Sequence, residues 1–249
     1  MSGHSKWAGI KHKKKKLDAK RGELFTKLAR AITVAARDGG GDPDANPALA
    51  LAIQKAREAS MPKDNIERAI AKGTGSGSDA DAVEAVLYEG YGPGGVAMLV
   101  ETLTDNRNRT ASEVRNLFAR HGGNLGEPGS VAWTFEKKGE IVVDGTRYSE
   151  DDLLAAIDAG AEDLVQAGHL WEIVTAPGGV DAVREALAVE GVEIESAGLV
   201  QRPTTRTPID EEQAGALTRL VDALEDHDDV QGVHANLAID SETLQRAAA

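Results

Sequence analysis

The chain has 249 residues, of which 41% are hydrophobic and only 4% aromatic, and its formal net charge is −13. The absence of cysteine excludes disulfides, thiol nucleophiles and Cys-ligated metal centres. No apolar run approaches the ~20 residues of a membrane-spanning helix, and the N-terminus has no apolar signal segment. We therefore expect a cytoplasmic protein of two or three domains.

Charge is distributed unevenly along the chain. Residues 1–72 contain 16 basic and 8 acidic residues, whereas residues 73–249 contain 12 basic and 33 acidic residues. A basic end on an acidic body is typical of a protein that binds a polyanion at one end, because the acidic body repels the same partner. The alternative is a solubilising tail on an acidic globule.

The first third of the chain is predicted to be a basic arm followed by helices. Residues 1–21 are polar and basic, and we interpret them as the arm. Apolar residues at helical spacing then predict three short helices. Asn46-Pro47 is typical of the start of the second helix, and Gly73 of the end of the third. The sequence therefore predicts a helical domain over residues 22–73, followed by a Gly/Ser linker.

Beyond the linker, the pattern mixes strands and helices. Residues 140–200 predict the order β-α-β-β-α-β of a ferredoxin-like unit. The flanking segments, 83–136 and 208–239, together supply four more strands and two more helices. We predict an α+β fold of three domains: an N-terminal helical domain and two ferredoxin-like α+β domains, the third inserted in the second. The predicted boundaries are 79–137 plus 203–240 for the discontinuous domain and 138–202 for the inserted one.

Two local features of this region give specific expectations. Val131–Phe135 and Glu140–Val143 are predicted to be two strands, separated by a turn at Lys137-Lys138-Gly139. The acidic run Glu225–Asp229 follows a predicted helix and is interpreted as a solvated turn.

Patterns typical of catalysis are absent. The sequence has no HExxH pair, no GxSxG elbow and no GxxxxGK[ST] loop, and its histidines are not at metal-binding spacing. The many acidic residues could supply a carboxylate pair, but no spacing points to one. We expect a protein that is not an enzyme and uses no metal or cofactor.

The first of two constellations that point to an anionic polymer lies in the arm. Its cations can neutralise phosphates and release their counterions, and the Trp7 ring can stack on a base or on protein. The alternatives are a solubilising tail or a nuclear localisation signal. The predicted nucleic-acid-contacting residues of this region are Lys6, Trp7, Lys11, Lys13, Lys14, Lys15, Lys16, Lys20, Arg21 and Lys27.

The second constellation is Thr104–Thr110, followed by Arg115. Thr110 is predicted to cap a helix over residues 111–120, with Glu113 completing a capping box. Two arginines would then precede a helix N-terminus, where backbone N–H groups and guanidinium groups bind phosphate. The alternative is that these arginines pair with surface acids. The predicted contacts here are Arg107, Arg109 and Arg115.

Five segments of the chain are distinctive: Gly3–Trp7, Asp18–Gly22, Met61–Ile66, Thr104–Thr110 and His121–Gly126. They closely resemble the YebC family, which includes the mitochondrial translational activator of cytochrome c oxidase. The segments occur in order across residues 2–240. The resemblance implies a three-domain, non-enzymatic regulator of gene expression. Members are usually described as cytoplasmic DNA-binding transcriptional regulators. Other members act on the ribosome during translation, including at proline-rich stretches.

These observations favour a nucleic-acid-binding regulator, and the resemblance implies one of the YebC type that acts on DNA in transcription. A ribosome-associated translation factor that contacts rRNA and eases stalled synthesis is the alternative, and a protein-interaction module without nucleic-acid contact is a third. No helix-turn-helix reading helix is evident, which favours contact with the phosphate backbone over base reading. The expected partner is DNA or rRNA, with no membrane and no small-molecule substrate.

Overall fold

The computed structural model describes residues 20–75 and 83–238. Three helices occupy the first range, and two four-stranded antiparallel sheets with their helices occupy the second. The predicted α+β fold class, with a helical domain before two α+β domains, is confirmed. In these two ranges, no helix is long and apolar enough to cross a membrane. Predictions for the arm up to residue 19 fall outside the described residues.

The elements follow one another along the chain in a simple order. The helices are α1 (Lys20–Gly39), α2 (Pro47–Glu58), α3 (Lys63–Gly73), α4 (Arg107–Arg120), α5 (Leu154–Asp158), α6 (Val180–Val189) and α7 (Glu211–Glu225). The strands are β1 (Glu84–Tyr91), β2 (Ala97–Thr104), β3 (Asn124–Leu125), β4 (Phe135–Asp144), β5 (Ala161–Ala167), β6 (Leu170–Thr175), β7 (Ile194–Pro203), β8 (Thr207–Pro208), β9 (Val230–Ala235) and β10 (Leu237–Ala238).

The three N-terminal helices bury small apolar faces against one another. Asn46 caps α2, as predicted, because its side-chain oxygen accepts a hydrogen bond from the Leu49 N–H at 3.1 Å. Its amide nitrogen also donates to the carbonyls of Ala35 and Gly40, each at 2.8 Å, which joins the end of α1 to the start of α2. The core of this unit consists of Ile32, Ala36, Leu49, Ala52, Ile53, Ala56, Met61, Ile66 and Ala69.

The first sheet has the strand order β3-β1-β2-β9. A tight turn over Pro93–Gly95 joins β1 to β2, and it requires glycine because Gly94 and Gly95 have φ of +73° and +75°. Helices α4 and α7 cover one face and bury Phe118, Leu220 and their neighbours. Because β9 pairs with β2, the chain segments before and after the second sheet form one sheet, with the β1–β2 hairpin at its centre.

The second sheet has the strand order β5-β6-β4-β7, and every pair in it is antiparallel. With α5 after β4 and α6 after β6, this is the ferredoxin-like order that residues 140–200 predict. Its core lies between the sheet and the two helices and is formed by side chains such as Ile141, Ile173 and Leu187, none of which is exposed.

One strand prediction is wrong. Strand β4 is continuous, and Gly139 pairs with Thr175 on one side and Leu199 on the other, so no turn forms at Lys137-Lys138-Gly139. The predicted strand over 131–135 is instead a 3-10 turn at Ala132–Thr134. Pairing of all three residues with β7, and of Gly139 with β6 as well, overrides the turn preference of a Lys-Lys-Gly triplet. Strand β4 spans the predicted domain boundary between residues 137 and 138, and strand β7 spans the one between residues 202 and 203. The domain boundaries stay predictions.

A carboxylate is buried on the face of the second sheet opposite its helices. Glu140 is 8% exposed, and its Oε2 lies 3.6 Å from Arg202 Nη1 without a hydrogen-bond partner among the described residues. Burial and the nearby negative charge of Glu172 raise the pKa of Glu140 to about 7, although Arg202 opposes the shift. The folded state therefore favours the protonated form of this side chain.

This raised pKa predicts a loss of stability as pH increases. Since Glu140 ionises more easily in the unfolded chain, the free energy of unfolding should fall as pH rises from about 4.5 to about 7. Glu140→Gln should raise the free energy of unfolding by about 1–3 kcal/mol at pH 8 and leave it nearly unchanged at pH 4.5. Urea unfolding at the two pH values measures this. Glu136→Gln, at an exposed position on the same strand, is the control, and an equal effect of both substitutions would contradict the prediction.

Candidate nucleic-acid interface

The helix that carries the predicted phosphate-binding arginines begins earlier than expected. Asn106, not Thr110, is its N-cap, because the Asn106 side chain accepts a hydrogen bond from the Arg109 N–H at 3.1 Å. Arg107 and Arg109 therefore lie in the first turn of α4 and do not precede it. This first turn contains no acidic residue, so the positive end of the helix dipole is not neutralised within the helix itself.

Thr110 has a buried role that differs from the predicted cap. Its hydroxyl lies 2.7 Å from the Thr104 hydroxyl and donates to Asp229 Oδ2 at 2.5 Å. The Thr110 side chain is fully buried, so its partner must come from within the protein. Through these two hydrogen bonds, Thr110 joins the end of β2 and the start of α4 to the segment just before β9.

Asp229 is the charged centre of this region. The residue is 1% exposed, and its carboxylate forms ion pairs with Arg30 through Oδ1 and with Arg109 through Oδ2, the latter at 2.9 Å. Burial alone would raise the pKa of Asp229, but hydrogen bonds from Thr110, Arg109 and Arg30 outweigh it and lower the pKa to about 2. The predicted solvated turn is thus wrong for Asp229, since both of its oxygens have protein partners.

Helix α1 is attached to the first sheet through basic side chains. Arg30 donates to the Asp228 carbonyl at 3.2 Å in addition to pairing with Asp229. Lys27 donates to the Glu225 carbonyl at the end of α7, where a cation complements the helix dipole. Arg37 donates to the Val83 carbonyl at the start of β1. Three cations along one helix therefore connect the helical unit to the α+β body.

The structure separates the predicted contact residues into groups. Arg107 and Arg115 are exposed, and neither has a carboxylate partner within 4.0 Å in the described part of the chain. Arg109 is 43% exposed and lies 2.8 Å from Asp105 as well as pairing with Asp229. Lys27 is half-buried at the α7 terminus. Lys20 and Arg21 begin α1, and the contacts predicted for Lys6, Trp7, Lys11, Lys13, Lys14, Lys15 and Lys16 lie outside the described residues.

Two residues of this region, Arg30 and Asp229, are not found by reasoning from the sequence. They are separated by 199 positions in the chain, and neither belongs to a recognisable local motif. Asp229 also stands last in an acidic run that looks solvated. The one available signal is its position directly before an apolar strand, where a side chain is drawn towards the core.

No cluster for a metal ion is found in residues 20–75 and 83–238, where no group of three or more His, Asp or Glu side chains could hold one. The charged groups of this region form ion pairs and hydrogen bonds that hold elements together. On α4, they leave Arg107 and Arg115 exposed to solvent.

Comparison with known proteins gives matches along nearly the whole chain. Residues 5–76 match the family described as "TACO1/YebC protein N-terminal domain", and residues 83–237 match "TACO1/YebC second and third domain". A "Probable transcriptional regulatory protein" of Rubrobacter xylanophilus is 55% identical over 249 residues, which cover 100% of both chains. One of Acidothermus cellulolyticus is 54% identical, with 98% of this chain and 99% of the relative covered.

A solved structure shares the same fold. It is the crystal structure of a conserved hypothetical protein, Aq1575 from Aquifex aeolicus, which is 50% identical to this chain. The two superimpose with a TM-score of 0.81, covering 89% of this chain and 92% of the other. The names of the two bacterial relatives describe regulatory proteins rather than enzymes.

The lowered pKa of Asp229 predicts acid lability of the attachment between α1 and the first sheet. A carboxyl with its folded pKa depressed stabilises the protein above its ordinary pKa, and this stability is lost as pH falls from about 4 towards 2. The loss should amount to about 2 kcal/mol. In the Asp229→Asn variant, this fall in the free energy of unfolding at low pH should disappear. Urea unfolding between pH 6 and pH 2 measures it. An unchanged pH profile in the variant would contradict the prediction.

Proposed function

The chain belongs to the TACO1/YebC family of regulators of gene expression, and from this premise we propose that it acts by binding the phosphate backbone of DNA. The binding surface is the N-terminal arm, the helical unit and the exposed arginines of α4. We expect no catalytic turnover on the bound polymer. The relatives' names as transcriptional regulators support the choice of DNA over rRNA.

One observation carries the proposal: Arg30 of α1 and Arg109 of α4 share the carboxylate of Asp229. The shared carboxylate brings α1, which continues from the basic arm, next to the α4 turn that exposes Arg107. At ~1.5 Å per residue, Lys20 lies roughly 15 Å along α1 from Arg30. Consecutive phosphates of one DNA strand are ~3.4 Å apart along the duplex axis. A few consecutive phosphates therefore span the distance between Lys20 and Arg30.

The type of contact follows from the residues available. Lysines and exposed arginines near a helix N-terminus are donors to phosphate oxygens, which fix position but carry no sequence information. The negative body, with 33 acidic residues beyond position 72, repels the same polymer, which favours contact at the cationic end. We therefore expect DNA affinity that depends strongly on salt and weakly on sequence.

The arm is tested by neutralising four of its lysines. Changing Lys13–Lys16 to Gln should flatten a plot of log affinity against log salt concentration by about 0.9 for each phosphate that the protein no longer neutralises. Changing the same four residues to Arg conserves charge and is the matched control. Fluorescence anisotropy with a labelled duplex measures both variants. An unchanged slope in the Gln variant would show that these lysines do not bind phosphate.

The two arginines of the α4 first turn should behave differently. Arg107→Glu should weaken duplex binding equally for unrelated sequences and change the melting temperature little, since surface changes cost within about 0.5 kcal/mol. Arg109→Glu removes a partner of buried Asp229 and should lower the melting temperature by about 5 °C or more. Anisotropy and thermal unfolding separate the two effects. Equal melting temperatures for both variants would contradict the assignment of Arg109 to the Asp229 ion pairs.

The cellular target is tested with a tagged protein. Chromatin immunoprecipitation should enrich chromosomal DNA over an untagged control, and sucrose-gradient sedimentation should leave the protein in the light fractions. Co-migration with 50S or 70S particles that is lost after RNase treatment, together with no chromatin enrichment, would contradict DNA as the target and support the ribosome-associated alternative.

A further inference from the structure

The loop between β3 and β4 presents an exposed tryptophan from a fixed backbone. Trp133 is 73% exposed, whereas Trp171 is 8% exposed in the core of the second sheet. A single exposed apolar side chain is ordinary on a protein surface. Trp133 is different because the segment that carries it is held by a buried charge and by hydrogen bonds at both ends.

Glu89 is that buried charge. It is 7% exposed, and its carboxylate accepts hydrogen bonds from the backbone N–H groups of Gly129, Val131 and Ala132 at 2.6, 2.7 and 2.8 Å. Burial raises the pKa of Glu89, but these three hydrogen bonds outweigh it and hold the pKa below its ordinary value. Charge-assisted hydrogen bonds are about twice as strong as neutral ones, so the loop has little freedom to move.

Both ends of the loop are also fixed. The Ser130 carbonyl accepts hydrogen bonds from the Tyr91 hydroxyl and from Trp133 Nε1, each at 3.1 Å. Val131 is 1% exposed and packs on the sheet. After the tryptophan, the Thr134 carbonyl accepts from the Thr204 N–H at 2.9 Å. The indole ring is therefore presented in one orientation, with its N–H already used inside the protein.

We propose that Trp133 is a stacking platform for an unpaired base of a nucleic acid. This inference rests on the proposed function and adds a second mode of contact to it. Because the indole N–H is occupied, the ring offers only its two faces, and every base has a face that can stack on them without sequence preference. Bases inside a duplex are covered by their neighbours, so the platform selects single-stranded segments.

The exposed residues next to Trp133 in the chain favour a base over a protein partner. Protein interfaces use clusters of apolar anchors, but the other exposed residues from 126 to 137 are polar, charged or small: Glu127, Pro128, Gly129, Glu136 and Lys137. The one large exposed ring among them offers a flat face that matches the size of one base.

The test compares the binding of three negatively charged polymers: a 20-nucleotide oligothymidine, an abasic oligonucleotide of the same length and a 20-base-pair duplex. Trp133→Ala should weaken oligothymidine binding about fivefold or more, in line with measured base–aromatic stacking. Affinity for the abasic strand and for the duplex should change less than twofold. Trp133→Phe should restore most of the loss, because it keeps the ring and removes only the N–H.

Val189→Ala, at a position that is 85% exposed on α6, is the matched control for loss of exposed apolar surface. If Trp133→Ala loses affinity equally for all three polymers, or loses none for oligothymidine, the stacking role is overturned while phosphate binding is left intact. Failure of the wild-type protein to bind any of the three would overturn both this inference and the proposed function. A melting temperature unchanged in Trp133→Ala confirms that the comparison is made between folded proteins.

Discussion

The arrangement of the cationic end depends on one buried carboxylate. Removing a charge from water is costly unless it is paired and hydrogen-bonded, and Asp229 meets this requirement with two arginines and a threonine hydroxyl from two different helices. Arg30 comes from the helical unit, and Arg109 and Thr110 come from the first turns of α4. The same interaction that satisfies Asp229 therefore fixes the helical unit against the α+β body and orients the start of α4.

This arrangement gives the basic residues two kinds of role. Lys27, Arg30, Arg37 and Arg109 are committed to carbonyls or carboxylates of the protein, so much of their donor capacity is used internally. Arg107 and Arg115 stay exposed on α4. In this account the paired cations position the surface and the exposed ones contact the polymer. The acidic body limits where the polymer can lie, and the fixed Trp133 loop adds a contact that does not depend on charge.

The features that could be predicted from the sequence are those fixed by local geometry. Asn46 caps α2 through an atom three residues away, and the helix and strand periods of residues 140–200 reveal the ferredoxin-like order. The capping prediction for Thr110 is wrong because its hydroxyl serves a partner 119 positions away. Lys137-Lys138-Gly139 resembles a turn, but pairing with β7, and with β6 at Gly139, holds it as a strand. Asp229 gives only one local signal, its position directly before an apolar strand, because the side chains that pair with it come from distant parts of the chain.

A double-mutant cycle between Arg30 and Asp229 tests the central claim most directly. The free energy of unfolding is measured for the wild type, Arg30→Met, Asp229→Asn and the double variant. If this ion pair joins the helical unit to the body, the two substitutions should be non-additive, with a coupling energy of about 1–3 kcal/mol. Additivity within about 0.5 kcal/mol would contradict the account, because it would mean that the two residues contribute independently and that Asp229 does not hold α1 in place.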